Sequence, residues 1–128
     1  YQWRTFDNTT RMTLGQTGNL TIGGTLAQNS DARLKQNIIT VKNSLQKILS
    51  LNGYHYNWID NSRDKSLQTG LIAQEIEKLM PELVNTDSEG IMSVNYSGLI
   101  PYLIEAIKEL KKENETIKKE MYNLRKGK

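Results

Sequence analysis

A hydroxyl and an amine stand five residues apart in the N-terminal third of the chain, on Ser30 and Lys35. A Ser hydroxyl is a weak nucleophile until a base removes its proton, and a neutral Lys amine can be that base. An ordinary Lys has a pKa of about 10.4, so only about one in 10³ is neutral at pH 7. Burial disfavours the ammonium form and can supply the ~3 units needed. The spacing therefore allows a Ser/Lys pair, although a turn Ser and a surface Lys are the commoner explanation for these residue types.

Three further side chains could support such a pair. An amide such as that of Asn37 can donate to an oxyanion, or it can simply stabilise a turn. Glu75 could orient Lys35 or hold Arg33, or it could be a solvent-facing helix residue. His55 could approach the same site, or it could pack in a strand or face water.

The composition excludes several other kinds of site. The chain has no Cys, which rules out disulfides, thiolate zinc sites and Cys nucleophiles and fits folding in a reducing cytoplasm. A single His cannot build a His-based metal cluster, so we predict no metal and no cofactor. The net charge is only +3, and the Lys-rich tail is interleaved with Glu, so we expect neither a nucleic-acid nor a membrane partner.

The elements that must position these groups differ along the 128 residues. Residues 1–29 alternate apolar positions with Gly turns, which predicts short strands joined at 8–10 and 18–19. Such strands carry too little apolar surface for a stable sheet of their own, so they resemble the end of a fibrous β-stalk. Because the chain begins abruptly at Tyr1, we expect a fragment of a longer protein.

The region after Ser30 reads as a small mixed α/β part of an α+β fold. The pattern predicts a short strand at 37–39, then a helix at 41–49 capped by Thr40. An aromatic strand at 54–58 and a loop at 60–69 follow. A second helix at 71–80 is stopped by Pro81, and after it comes a hairpin whose loop is residues 87–90. A hydrophobic content of 37% is low for a self-sufficient core, so we expect other copies of the chain to bury part of the apolar surface.

The last predicted element is a helix at 97–126 with a heptad repeat, capped by Ser97 and with Pro101 in its first turn. Its a and d positions are Ile100, Leu103, Ile107, Leu110, Asn114, Ile117, Met121 and Leu124. In a parallel coiled coil the g residues Glu113 and Glu120 face Lys118 and Arg125 at e, whereas an antiparallel coil sets like charges together. A helix packed only on its own domain would explain 99–110 but not the register through Leu124. We therefore predict a parallel coiled coil in which Asn114 fixes the register. Ile104 at e and Ala106 at g widen the apolar stripe near the helix start, which favours more than two strands.

Several motifs in the same order resemble the C-terminal intramolecular chaperone domain of phage tail spikes, tail fibres and neck appendages, the peptidase S74 type. They are Ser30-Asp31-x-Arg33-Leu34-Lys35-x-Asn37-Ile38, Leu51-Asn52-Gly53-x-x-Tyr56-x-Trp58, Gly70-Leu71-Ile72-Ala73-Gln74-Glu75, Pro81-Glu82-Leu83-Val84, Val94-Asn95-Tyr96-Ser97-Gly98-Leu99-Ile100-Pro101 and Glu105-Ala106-Ile107-Lys108-Glu109-Leu110. The likeness covers about residues 30–125.

This resemblance implies an intertwined homotrimer whose C-terminal domain, residues 30–128, templates folding of the upstream stalk that ends at residue 29. The domain then releases itself by autoproteolysis, with Ser30 as nucleophile and Lys35 as base. It implies assembly in the host cytoplasm and a mature fibre on the virion. The alternative is a permanent structural or receptor-binding fibre tip in which Ser30 is a simple turn residue.

Two bonds at Ser30 compete as the cleavage site. Attack by Ser30 Oγ on the preceding carbonyl closes a five-membered ring and cuts Asn29–Ser30. Attack on its own carbonyl needs a strained four-membered ring, so cutting Ser30–Asp31 requires another nucleophile, such as water or a group from a neighbouring chain. The resemblance favours Ser30–Asp31.

Overall fold

The structure is a computed structural model, and it describes residues 2–4 and 9–127. The predicted mixed fold, with short strands and a long C-terminal helix, is confirmed. The strands are β1 Gln2–Arg4, β2 Thr10–Leu14, β3 Leu20–Ile22, β4 Tyr54–Tyr56, β5 Gln68–Gly70, β6 Val84–Thr86 and β7 Met92–Val94, and the α-helices are α1 Ser44–Leu49, α2 Ala73–Leu79 and α3 Leu99–Lys126. Single 3-10 turns cover Ala32–Leu34, Pro81–Leu83 and Tyr96–Gly98. The chain divides into two compact units, Tyr1–Ile38 with His55–Thr69 and Ile39–Tyr54 with Gly70–Lys128.

The first unit begins with an antiparallel sheet in the order β1-β2-β3, so the predicted short strands are present. Met12 lies opposite Ile22, and a turn containing Gly18, at φ +86°, joins β2 to β3. The predicted turn at 8–10 lies partly outside the described residues. Leu20 is 58% exposed, so the sheet has little core of its own.

The predicted strand at 37–39 is wrong. Asn37 adopts a left-handed backbone conformation, φ +53°, in which Asn is enriched and which interrupts an extended run. Ile38 and Ile39 are exposed instead of paired in a sheet.

The second unit holds a core shared by α2, the first turns of α3 and the segments beside them. Its buried members are Ile76, Met80, Leu83, Leu99 and Tyr102. The helix stopped by Pro81 is confirmed, although it is shorter than predicted. The hairpin is also confirmed, with Val84 opposite Val94 and the Asp87 side chain accepting from two backbone N–H groups of the turn.

Two predicted caps are wrong, and the helices they were to start begin later. Helix α1 starts at Ser44 and is not capped by Thr40, because Asn43 takes a left-handed φ of +55° immediately before it. Helix α3 has no side-chain cap from Ser97, because Asn95 instead caps the 3-10 turn that precedes it. Pro101 does lie in the first turn of α3, where its missing N–H costs no hydrogen bond.

The aromatic strand and the loop after it are also shorter than predicted. Strand β4 ends at Tyr56, and Trp58 lies beyond it with its ring edge-on to Tyr56 at 5.2 Å. The loop ends where Gln68 enters β5.

Candidate functional site

A single 3-10 turn brings Ser30 and Lys35 together. Asp31 caps this turn, because its Oδ1 accepts the backbone N–H of Arg33 at 2.9 Å. The backbone N–H of Lys35 then donates to the carbonyl of Ala32 at 3.1 Å, which closes the turn. The result is that Lys35 Nζ lies 2.7 Å from Ser30 Oγ.

This distance is that of a direct hydrogen bond. What the contact can do chemically depends on whether the Lys35 amine carries a proton. An ammonium group can only donate to the hydroxyl, whereas a neutral amine can accept the hydroxyl proton. Both side chains are exposed within one chain. The fold of a single chain therefore supplies the geometry of a Ser/Lys pair but not the desolvation that would favour the neutral amine.

A guanidinium–carboxylate pair, which the sequence analysis missed, lies beside this contact. Arg33 Nη2 and Nε lie 2.6 Å and 3.1 Å from Asp31 Oδ2, and Nε also lies 3.1 Å from Oδ1. The hydrogen bond from Arg33 lowers the pKa of the Asp31 carboxyl and raises the pKa of Arg33. The sequence pattern that could have predicted this pair is the Asp at the cap position of the turn, because its carboxylate then lies next to the residue two positions later, here Arg33.

None of the hydrogen bonds of the described residues joins the three predicted supporting residues to Ser30 or Lys35. Asn37 occupies the left-handed position that follows the turn. His55 Nδ1 lies 2.8 Å from Thr69 Oγ1 across the β4–β5 hairpin. Glu75, which is half-buried on α2, accepts a hydrogen bond from the Tyr54 hydroxyl at 2.8 Å.

The predicted coil positions lie along one face of α3, and they are uncovered within a single chain. Ile107 is 68% exposed and Leu124 75% exposed, whereas Ala106, at a g position of the same helix, is buried. The other members of the a and d set, Ile100, Leu103, Leu110, Asn114, Ile117 and Met121, are also exposed. The apolar stripe therefore continues along the helix beyond the part that its own unit covers.

The opposite side of α3 carries polar contacts that join it to the rest of the second unit. The Glu109 carboxylate accepts the backbone N–H groups of Ser44 and Leu45 at 2.9 and 3.0 Å, which satisfies the start of α1. The Tyr102 hydroxyl donates to Glu82, and Lys47 lies 5.2 Å from the centre of the Tyr102 ring. Sequence reasoning missed these contacts, because single Glu and Tyr residues carry no signal of their partners.

Within the described residues, no group of His, Cys, Asp and Glu side chains is arranged to hold a metal ion. None of the helices in that part of the chain is long and apolar enough to span a membrane.

Residues 30–85, which include the Ser30–Lys35 turn, match the sequence profile of the peptidase S74 family, described as "chaperone of endosialidase". The chain is also 34% identical over 87 residues to the long tail fiber protein Gp37 of Escherichia phage AR1, covering 62% of this chain and 8% of that protein. It is 32% identical over 100 residues to Gp37 of Enterobacteria phage M1, covering 73% of this chain and 40% of that protein. For Gp37 of Salmonella phage S16 the identity is 31% over 105 residues, covering 76% of this chain and 14% of the relative.

The chain therefore carries a domain of the peptidase S74 chaperone family. It spans less than half the length of these tail fibre relatives.

Proposed function

We propose that this chain is the C-terminal chaperone end of a phage tail fibre, in which residues 30–128 direct three copies of the upstream segment, ending at residue 29, to fold together. The family match and the likeness to Gp37 proteins support this role. After assembly, the chaperone domain releases itself by cleavage at Ser30. The fibre remains on the virion.

The three-stranded assembly rests on the exposed stripe of α3. Apolar side chains that stay roughly half or more exposed over several turns, such as Leu110, Ile117 and Met121, favour burial against identical helices. A parallel arrangement pairs Glu113 and Glu120 with basic e residues of the neighbouring chain. Each such pair contributes only a few tenths of a kcal/mol, so these charges select orientation more than they supply stability.

The observation that carries the cleavage reaction is the 2.7 Å contact of Lys35 Nζ with Ser30 Oγ inside the segment that matches the family. Once neutral, the amine accepts the hydroxyl proton as Oγ attacks the Asn29 carbonyl carbon. The Asn29–Ser30 C–N bond breaks, and the proton passes to the departing nitrogen. Water then hydrolyses the ester, which leaves a carboxylate on Asn29 and a free amine on Ser30.

The same pair can act on the other bond through water. Attack by water on the Ser30 carbonyl carbon cuts Ser30–Asp31 and leaves a carboxylate on Ser30 and an amine on Asp31. The family resemblance favours this second bond, whereas ring size favours the first.

Assembly gates the reaction, because both side chains are exposed in one chain and the amine must lose its proton. Burial by neighbouring copies disfavours the ammonium form and supplies the missing base. Cleavage therefore follows correct folding of the three chains.

The test is the intact mass of the denatured protein after expression, with Ser30→Ala, Lys35→Ala and, as control, Lys119→Ala on an exposed position of α3. We expect fragments from the parent and the control, and full-length chain from the two site variants. Fragments of 29 and 99 or of 30 and 98 residues identify the bond that is cut. If the parent assembles and remains full-length, the proposed peptidase activity is wrong. If Lys35→Ala is cut as fast as the parent, Lys35 is not the base.

A second function is a permanent fibre tip that never cleaves. The observation that favours it is the exposure of Ser30 and Lys35 in the single chain, where no burial favours the neutral amine. The same mass measurement distinguishes the two functions, because a permanent tip assembles and stays intact.

A further inference from the structure

Lys35 has a second potential partner one residue from Ser30. The carboxylate of Asp31 lies four residues before Lys35, on the same short turn, and a carboxylate attracts an ammonium group more strongly than a hydroxyl does. A Lys paired with a carboxylate is held in its charged form, in which it cannot accept a proton. A free Asp31 carboxylate would therefore compete with Ser30 Oγ for Lys35.

Arg33 engages this carboxylate. Its guanidinium contacts both carboxylate oxygens of Asp31, at distances between 2.6 and 3.1 Å. A planar guanidinium matches a carboxylate in two parallel contacts, which a single ammonium group cannot do. The backbone N–H of Arg33 adds a further contact to Oδ1 at 2.9 Å. Within the described residues, Lys35 has its side-chain hydrogen bond to Ser30 and no ion pair with Asp31.

We propose that Arg33 is a positioning residue for the Ser30–Lys35 pair: by occupying both oxygens of Asp31, it prevents that carboxylate from capturing Lys35 and leaves the amine on the Ser30 hydroxyl. This inference rests on the proposed self-cleavage, and it adds Arg33 as a residue that acts on Lys35 through Asp31. Arg33 itself touches neither Ser30 Oγ nor Lys35 Nζ by any hydrogen bond of the described residues.

Two substitutions separate this role from simple support of the turn. Arg33→Gln removes the guanidinium but keeps a long polar side chain, so it frees the Asp31 carboxylate. Asp31→Asn removes the negative charge but keeps a side-chain oxygen that can cap the turn. If Arg33 only stabilised the turn through its pair with Asp31, Asp31→Asn would slow cleavage as much as Arg33→Gln does, because either substitution breaks that pair. If Arg33 shields Lys35 from a carboxylate, Arg33→Gln slows cleavage more than Asp31→Asn does, and the effect of Arg33→Gln disappears in the Asp31→Asn background.

The experiment measures the cleavage rate in the full chain for Arg33→Gln, Asp31→Asn, the double variant and Arg63→Gln. Arg63 is the matched control, since it forms an exposed ion pair with Asp60 three residues before it in the same unit. We expect Arg33→Gln to cleave about twofold to fivefold more slowly, the range of an exposed Lys–carboxylate pair. The double variant should cleave as fast as Asp31→Asn alone, and the control as fast as the parent. A loss of rate in Arg33→Gln that persists in the double variant, an equal loss of rate in Asp31→Asn, or no loss in Arg33→Gln overturns the inference.

A second measurement keeps the inference testable if the parent does not cleave, which would overturn the proposed function by itself. Trace acylation with acetic anhydride modifies neutral amines only, so the labelling of Lys35 relative to Lys119 reports how far a carboxylate holds the amine charged. We expect lower relative labelling of Lys35 in Arg33→Gln and recovery in the double variant. Equal labelling in the parent and in Arg33→Gln would overturn the inference, independently of any cleavage.

Discussion

Substituting one residue of the exposed stripe tests whether the chains associate through α3 and whether association gates cleavage. Ile107 is 68% exposed in a single chain, so Ile107→Gln removes little packing within that chain. Gln is a good helix former, so the helix itself is retained. Lys112→Gln is the matched control, because it makes the same residue on an exposed position of the same helix, away from the a and d stripe.

The expected magnitude follows from the burial that Ile107 would gain. Fully burying an Ile side chain is worth about 1.5–3 kcal/mol. Because Ile107 is 68% exposed in the single chain, a layer of three such side chains gains about two thirds of that burial and contributes about 3–6 kcal/mol to the trimer. Its loss lowers the association constant by a factor on the order of 10²–10⁴. No comparable loss is expected for the control.

Sedimentation of the full chain measures the association, and intact mass over time measures the cleavage. We expect Ile107→Gln to dissociate at concentrations at which the parent and Lys112→Gln are trimeric. Its cleavage should fall with the trimer fraction, because the single chain leaves Lys35 solvated.

Two outcomes would refute this reasoning. An Ile107→Gln protein that remains trimeric would show that the stripe is not the interface. A monomeric variant that is cut at the parental rate would show that burial by neighbouring copies is not what activates Lys35.

Two further predictions concern contacts that hold α3 to its own unit. Burial, together with the hydrogen bond to Glu82, raises the pKa of Tyr102 to about 12. In the unfolded chain Tyr102 loses its proton near pH 10, so the free energy of unfolding should fall as the pH rises from about 10 to about 12. Tyr102→Phe should make this fall smaller. At neutral pH the same variant should lower the free energy of unfolding by about 1–2 kcal/mol, because the hydrogen bond to Glu82 is lost. Glu109→Gln should lower the free energy of unfolding by about 1–2 kcal/mol, because an amide has one oxygen for the two backbone N–H groups that the carboxylate accepts. Urea unfolding measures both effects.

The controls for these two variants are chosen on the same unit. Glu77→Gln, on an exposed position of α2, should unfold as the parent does. If Glu77→Gln and Glu109→Gln lose the same stability, the contact with α1 is not what Glu109 contributes. A Tyr102→Phe protein that loses as much stability as the parent between pH 10 and 12 would contradict the role of Tyr102 in that range.

The sequence by itself determined the features that depend on local pattern. Gly and Asp at the turns predicted the hairpin of β6 and β7, and Pro81 predicted the end of α2. The heptad predicted one long helix, because a 3.5-residue repeat of apolar side chains has few other uses. The contact between Ser30 and Lys35 also depends on local structure alone, since the Asp31 cap and a single 3-10 turn suffice to bring the two side chains together.

Only the tertiary structure decided which distant side chains meet. The Glu109 carboxylate stands 65 residues after the Ser44 N–H that it accepts, and no local pattern connects them. At the start of α1 this distant carboxylate accepts the N–H groups that the predicted cap Thr40 does not reach, because α1 begins only after the left-handed Asn43. The Asp31–Arg33 pair is local but was missed, because hydrogen-bond geometry rather than residue type assigns the carboxylate to Arg33 and leaves Lys35 on Ser30.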